Sequence, residues 1–241
     1  MKLLFINPNT SQSITAKIKA VADSVAQPGT DIVAVTATRG VAYIATRAEA
    51  VIGAMSVLEL LAEHRDGYDA AVIAAFGDPG LGAARELMPI PIIGLAEAGL
   101  LTACMLGRRY AIVSFSKALG PWYRECVEYH GLEKRLAGIR LLDGPFNDIA
   151  SVQDEKEHLL IKLCEQAAEQ DAADVVVLAG APLAGLADRI GGRVPIPVVD
   201  CVCAAVRLAE ALAIQKLQIN LVKGKASANL EPTLAKFLAG H

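Results

Sequence analysis

Short apolar runs, each closed by Gly, Pro or Asn, alternate along this chain with longer stretches whose apolar residues recur every three or four positions. The first kind reads as strands buried on both faces, the second as helices with one apolar side. "KLLFINP" predicts a strand that stops at Pro8, and the Asn, Thr and Ser opening "NTSQSITAKIKAVADSV" predict a helix start. Further strands are expected in "TDIVAVTAT", "YDAAVIAAF", "PIPIIGLA" and "RYAIVSF". Helices are expected from about Thr46 to His64 and in "GLGAARELM" and "EAGLLTACMLG". The second half keeps this rhythm, with strands in "LAGIRLLD", "ADVVVLAG" and "VPIPVVD". Its helices are expected in "GPWYRECVEYHGL", "SVQDEKEHLLIKLCEQAAEQ", "LAGLADRIGG" and "CVCAAVRLAEALAIQKL". Residues 221–241 carry no clear period and read as a tail lying on the surface or on a neighbour.

Strands that alternate with helices over short links imply βαβ units and parallel sheets, an α/β fold. Ligands of such sheets bind outside the carboxyl ends of the strands, so the residues directly after each strand become the candidate site. Two of those strand ends repeat each other. "DAAVIAAFGDPGL" from Asp69 matches "DVVVLAGAPLAGL" from Asp174, and each is followed by a Pro-Ile-Pro, at 89–91 and 195–197. Self-similarity of turn, spacing and double proline predicts two equivalent lobes. The expected division is 1–98 plus 205–220 for the first lobe, 99–204 for the second and 221–241 for the tail. Two such turns facing across a cleft would present equivalent groups to opposite faces of one small ligand. After the second strand of each repeat stand Glu97 and Asp200, read as equivalent structural carboxylates.

Composition narrows the partners. The 241 residues are 54% hydrophobic and 20% charged, and no apolar run reaches the length of a membrane span, so the apolar excess is a buried sheet. Net charge is −3 without a basic block, which disfavours nucleic acid and anionic membrane. The opening "MKLLFINPNT" lacks a signal peptide's pattern, so a cytoplasmic location is expected. The cysteine count of five is odd and argues against a disulfide framework. Cys201 and Cys203 form a lone Cys-X-Cys without a second pair or a nearby His, so no metal site is expected. The apolar helices and tail suggest a homo-oligomer.

Five segments then carry a resemblance. "INPNTS" at 6–11, "AAFGDPGL" at 74–81, "PIIGLAEA" at 91–98, "AIVSF" at 111–115 and "IPVVD" at 196–200 together resemble the hydantoin and allantoin racemase group of the aspartate/glutamate racemase superfamily. The likeness runs from residue 3 to about 212. It implies two flavodoxin-like lobes, a cofactor-independent site between them, and two cysteines that take and give an α-proton from opposite faces. The first of those positions is Ala75 and the second Gly180, and neither has a thiol. A thiol works there because it can be tuned between acid and base near neutral pH, which alanine and glycine cannot do.

Several groups remain at the strand ends. Asn7, Asn9 and Thr10 follow the first strand, where they either cap a helix or meet an anion or carbonyl. Asp78, in the turn with Phe76 and Gly77, either caps the next helix or serves as an acid/base. Ser114 and Ser116 follow the fifth strand, and Ala181 and Pro182 shape the second turn. Tyr43 and Arg47 follow the second strand. Cys201 enters the last helix at its N-terminus, where a thiol's pKa is lowered; the competing reading is a small buried thiol. The histidines fall at helix ends, within helices or in the tail, so a histidine base is not expected. The function expected is an isomerase acting on a small-molecule substrate, α to a carbonyl of a small ureide or amino-acid derivative. Cys201 or Asp78 would be the substitute proton carrier. A lyase resembling arylmalonate decarboxylase, or a non-catalytic small-molecule binder, are the alternatives.

Overall fold

Strand β1 (Lys2–Asn7) is apolar from Leu3 to Ile6, and all four of those side chains are buried. A strand with no polar face must be covered on both sides, and the chain supplies the covers by crossing over after every strand. The computed structural model describes residues 1–144, 148–149, 151–222, 224–225 and 227–240. In the first unit β1 is followed by α1 (Gln12–Val25), β2 (Asp31–Thr36), α2 (Arg47–Glu63), β3 (Ala70–Ile73), α3 (Leu81–Leu87), β4 (Ile92–Gly94) and α4 (Leu95–Leu106). The second unit repeats this as β5 (Tyr110–Ser114), α5 (Gly120–Tyr129), β6 (Leu136–Leu141), α6 (Val152–Asp171), β7 (Val175–Leu178), α7 (Leu186–Ile190), β8 (Val198–Asp200) and α8 (Cys201–Gln215). Each unit forms a four-stranded parallel sheet, ordered β2-β1-β3-β4 and β6-β5-β7-β8. The expected α/β fold of two equivalent lobes is the one observed.

The equivalence reaches single bonds. Lys2 N–H donates to Asp69 Oδ2 at 2.7 Å, and Arg109 N–H donates to Asp174 Oδ2 at 2.8 Å, so one carboxylate latches the start of the central strand in each lobe. Ala71 N–H donates to Pro91 O and Val176 N–H to Pro197 O, both at 2.9 Å, which explains why the two Pro-Ile-Pro segments match. Gly80 and Gly185 both cap a short helix with φ near +80° (80° and 83°), a conformation that disfavours a side chain.

The lobes exchange their last helices. α4 packs against β7 and β8 of the second sheet, while α8 packs against β3 and β4 of the first, and the two helices pack against each other. One apolar cluster therefore runs through both lobes, from Leu3 and Val72 to Val177 and Ala205. A separate cluster covers the other face of the first sheet, through Val57, Leu61, Leu81 and Met88. Within the stretch expected to be an aperiodic tail there is a helix, α9 (Pro232–Leu238), capped by Glu231. It packs on α2 and buries Leu234 and Phe237 in this second cluster. No described helix is long and apolar enough to cross a membrane.

Candidate functional site

Ala75 and Gly180 stand two residues beyond the matched ends of β3 and β7 and line one narrow cavity between the lobes. Its volume is about 20 Å³, room for roughly one water. Aromatic rings fill the rest. Phe76 and Tyr123 lie with ring centroids 4.5 Å apart, and Tyr43–Phe115 and Trp122–Tyr123 are each 5.9 Å apart. Gly180 has φ +108°, and a Cβ there would lie 3.1 Å from Phe115 Cε1 and 3.4 Å from the Tyr123 hydroxyl. Burial holds the Tyr123 and Tyr43 hydroxyls above the ordinary tyrosine range, so both are protonated at neutral pH.

The structure brings Asn9, Tyr43, Ala75, Phe76, Ala181 and Pro182 to this cavity together with Gly180. Asn7 is buried and faces α1, where its amide donates to Asn9 Oδ1, Ser11 O and Thr15 Oγ1. Thr10 is half-buried, its N–H donating to Val41 O. Ser114 is fully buried and its hydroxyl donates to Ala179 O at 2.7 Å, tying β5 to the second turn. Ser116 is half-buried and precedes a single 3₁₀ turn without a side-chain cap bond. Gln153 Nε2 pins the second turn from α6 by donating to Pro182 O and Ala184 O.

Cys201 does not have the lowered pKa expected of a thiol at a helix N-terminus. Its Sγ donates to Leu178 O at 3.3 Å and faces Gly99 of α4, where a Cβ would lie only 2.5 Å away. Burial, reinforced by the neighbouring carboxylate of Asp200, pushes the thiol well above its ordinary range. Loss of hydration outweighs the helix dipole there. Cys203, half-buried, is pushed up to about 12 for the same first reason.

Asp78 is the polar group of the first turn that meets another ionisable side chain. Its Oδ1 accepts from Ala96 N–H at 2.8 Å and its Oδ2 from Glu97 N–H at 2.9 Å, capping α4. His130, the C-cap residue of α5 in the other lobe, places Nε2 2.9 Å from Asp78 Oδ2. A histidine is thus engaged at a strand-end turn, contrary to the expectation from the sequence. His130 comes from the far end of a helix, and no local pattern links it to a turn in the opposite lobe. Its Nδ1 is 3.9 Å from Glu97 Oε1, and Arg85 holds Glu97 by donating from Nη1 to Oε1 at 3.0 Å. Burial raises the Asp78 carboxyl above the usual carboxylate range, while His130 and the two N–H donors pull against that rise. Cys126 is buried beside the pair, its thiol pushed up by burial and then by the Asp78 charge.

The equivalence expected between Glu97 and Asp200 also shifts. In the strand registers Ile73 pairs with Gly94 and Leu178 with Asp200, so the counterpart of Asp200 is Gly94. Glu97 lies in the first turn of α4 and carries the ion pair to Arg85.

Donor atoms of Asp78, Cys126 and His130 lie within 4.8 Å of one another, the grouping among the described residues that comes nearest to a metal's ligand set. The Asp78 oxygens are already engaged by two N–H groups and the imidazole.

A groove of about 460 Å³ opens beside this pair, walled by Ala50, Val51 and Ala54 of α2, by the turn from Gly77 to Gly82, and by Trp122, Glu125, Cys126 and Tyr129 of α5. Both lobes therefore contribute. An ion pair between Arg47 and Glu125 spans its rim, with Arg47 Nε donating to Oε2 at 2.8 Å. Both partners are exposed, so the pair adds little stability. Trp122 belongs to the walls of both groove and inner cavity, and its indole lies over Gly77, where a Cβ would be 2.3 Å from Cζ2.

Comparison with known proteins agrees with this architecture. Residues 3–209 match the family model described as Asp/Glu/Hydantoin racemase. A hydantoin racemase of Rhizobium meliloti is 35% identical over 245 residues, covering 100% of this chain and 98% of that protein. The structure of an allantoin racemase from Klebsiella pneumoniae superposes with a TM-score of 0.91 at 33% identity, covering 97% of this chain and 98% of that one. Arylmalonate decarboxylase, with a TM-score of 0.62 at 18% identity, covers 99% of each chain and shares the fold alone. A family match over nearly the whole chain, together with these relatives, makes it an enzyme of the isomerase class, and the chain belongs to the Asp/Glu/Hydantoin racemase family.

Proposed function

We propose that this enzyme isomerises a carbon α to a carbonyl in a small hydantoin-type ureide or amino-acid derivative, with Asp78 and His130 moving the proton. The family membership and the hydantoin and allantoin racemases among its relatives support the substrate class. Ala75 and Gly180 offer no proton carrier at the positions where the resemblance implies thiols. The observation that carries the proposal is the carboxylate–imidazole contact of 2.9 Å, buried beside a groove that both lobes build. A carboxyl raised by burial sits nearer neutral pH, where a general acid/base works best. As Asp78 takes a proton from the α-carbon its own charge is neutralised, and His130 Nε2, 2.9 Å from its Oδ2, is within reach to receive that proton.

This scheme assigns the return of a proton to the opposite face to the Tyr123 hydroxyl, which lies beside the position that Gly180 leaves open. Trp122 separates it from the groove in this conformation, so turnover on this scheme requires the indole to move.

A second reading, a binder that has lost turnover, rests on the same two positions, Ala75 and Gly180. The test is to incubate the protein in heavy water with single enantiomers of 5-substituted hydantoins, allantoin and free amino acids, and with an arylmalonate. Deuterium at the α-carbon with loss of optical rotation supports the isomerase. Tight binding without exchange supports the binder, and release of carbon dioxide from a malonate supports a lyase.

A further inference from the structure

A second concavity lies at the opposite end of the second sheet. Arg108 and Arg109 before β5, Lys134 and Arg135 before β6, and Ala172 and Asp174 before β7 enclose about 460 Å³. Arg135 is occupied in holding the fold together, since its Nη2 donates to Cys104 O and Gly107 O at the end of α4. The side chains of Arg108, Arg109 and Lys134 make no hydrogen bond or ion pair among the described residues, and all three are exposed.

The duplicated fold supplies its own control. The Asp69 and Asp174 latches place Lys2 level with Arg109 and therefore Met1 level with Arg108. The pairings of Leu3 with Ile32 and Tyr110 with Leu136 place Thr30 and Asp31 level with Lys134 and Arg135. In the first lobe these groups are partnered. The Met1 ammonium donates to Gly29 O at 2.7 Å, Lys2 Nζ lies 5.0 Å from the centroid of the Tyr68 ring, and the Thr30 hydroxyl donates to Glu210. The same architecture therefore stands in the first lobe with one basic side chain and the Met1 ammonium, both partnered, at this edge, so Arg108, Arg109 and Lys134 at the other are not a requirement of the fold. Clustered cations repel one another, and an anion between them removes that penalty.

We propose that this edge of the second lobe binds a small phosphate-class polyanion, held by Arg108, Arg109 and Lys134. Arginine forks match phosphate oxygens in pairs, and a lysine adds a point charge. A small ligand is favoured over a polymer, because the cationic surface is a concavity, it includes the Asp174 carboxylate, and the chain as a whole carries −3. The site lies at the amino ends of the strands, away from the candidate active site, so the ligand is not the substrate.

The test is calorimetric titration of the full chain with inorganic pyrophosphate and with inorganic phosphate at constant ionic strength. The wild type is compared with Arg109→Gln/Lys134→Gln and, separately, with Arg108→Gln. All three positions are exposed and outside the candidate active site, so an unchanged melting temperature without anion is expected. Pyrophosphate is expected to bind the wild type, with Kd raised at least about tenfold in the double variant, the loss of one charge-assisted contact or more. Binding that sodium chloride of equal ionic strength abolishes, binding unchanged in both variants, or binding of heparin with none of pyrophosphate would each overturn the proposal.

Discussion

The carboxylate of Asp78 holds in the first lobe the place that the carboxylate of Asp200 holds in the second, although Asp78 comes from the turn after the third strand of its lobe and Asp200 from the end of the fourth. Asp200 ends β8, accepts from Val202 and Cys203 N–H at the start of α8, and reaches back to Gly185 N–H at 2.6 Å. Asp78 comes from the turn after β3 and caps α4 from the other side. The residue level with Asp200 is Gly94, and a Cβ there would lie 2.4 Å from Asp78 Cγ. Gly94→Ala is therefore expected to displace the Asp78 carboxylate and cost about 1–3 kcal/mol, the usual range for overpacking. Urea denaturation of the variant measures this, and wild-type stability would refute the packing argument.

Burial raises the carboxyls of Asp78 and Asp200, so the folded protein holds their protons more tightly than the unfolded chain does. The stability each contributes is complete below the unfolded carboxylate pKa and is lost as pH rises through the raised folded value. Asp78→Asn removes one of these titrations. The stability of the wild type relative to Asp78→Asn should therefore be greatest at acid pH and shrink as pH rises from about 4 toward neutrality. Paired denaturation curves across that window check it, and a gap widening with pH would rule it out.

Gly99 and Cys201 sit where α4 and α8 exchange between lobes, and a Cβ at Gly99 would lie 2.5 Å from Cys201 Sγ. Gly99→Ala alone is expected to destabilise by about 1–3 kcal/mol. Combined with Cys201→Ala, which removes the sulfur, it should cost less than the two single changes added together. A double-mutant cycle from denaturation midpoints reads that coupling directly, and simple additivity would show that the two residues do not compete for space.

Trp122 is the single tryptophan of the chain, 9% exposed and lying over Gly77. Its emission reports on the partition between groove and inner cavity without added probes. Gly77→Ala adds a methyl at a position with φ +104°, 2.3 Å from Cζ2, and should drive the indole into water with a red-shifted emission maximum. Ligand binding in the groove should move the wild-type emission as well. Spectra unaltered by both changes would mean that the ring does not serve as the partition.

The strands and most helices were legible because each is longer than one period of its own pattern and ends at a turn residue. α9 was not, because Leu234 and Phe237 are the two buried anchors of a seven-residue helix, too few to show a repeat. The duplication is legible in the matched turns and Pro-Ile-Pro segments, yet Glu97 stands three residues past Gly94, the position that the strand registers make the counterpart of Asp200. His130 is not legible as a site residue, because its partner lies in the other lobe, 52 residues away, a distance at which sequence spacing carries no geometric information. For Cys201 the helix N-terminus suggested a reactive thiol, whereas packing against α4 made it a buried one.

A proton that moves through Asp78 and His130 leaves a signature in deuterium wash-in at the α-carbon of a 5-substituted hydantoin. Exchange is expected from the wild type, with a loss of about a hundredfold or more in His130→Gln, the usual weight of a general acid/base, and an unchanged rate in Cys201→Ala. Full exchange by a folded His130→Gln, or its disappearance in Cys201→Ala, would show that the proton takes another route.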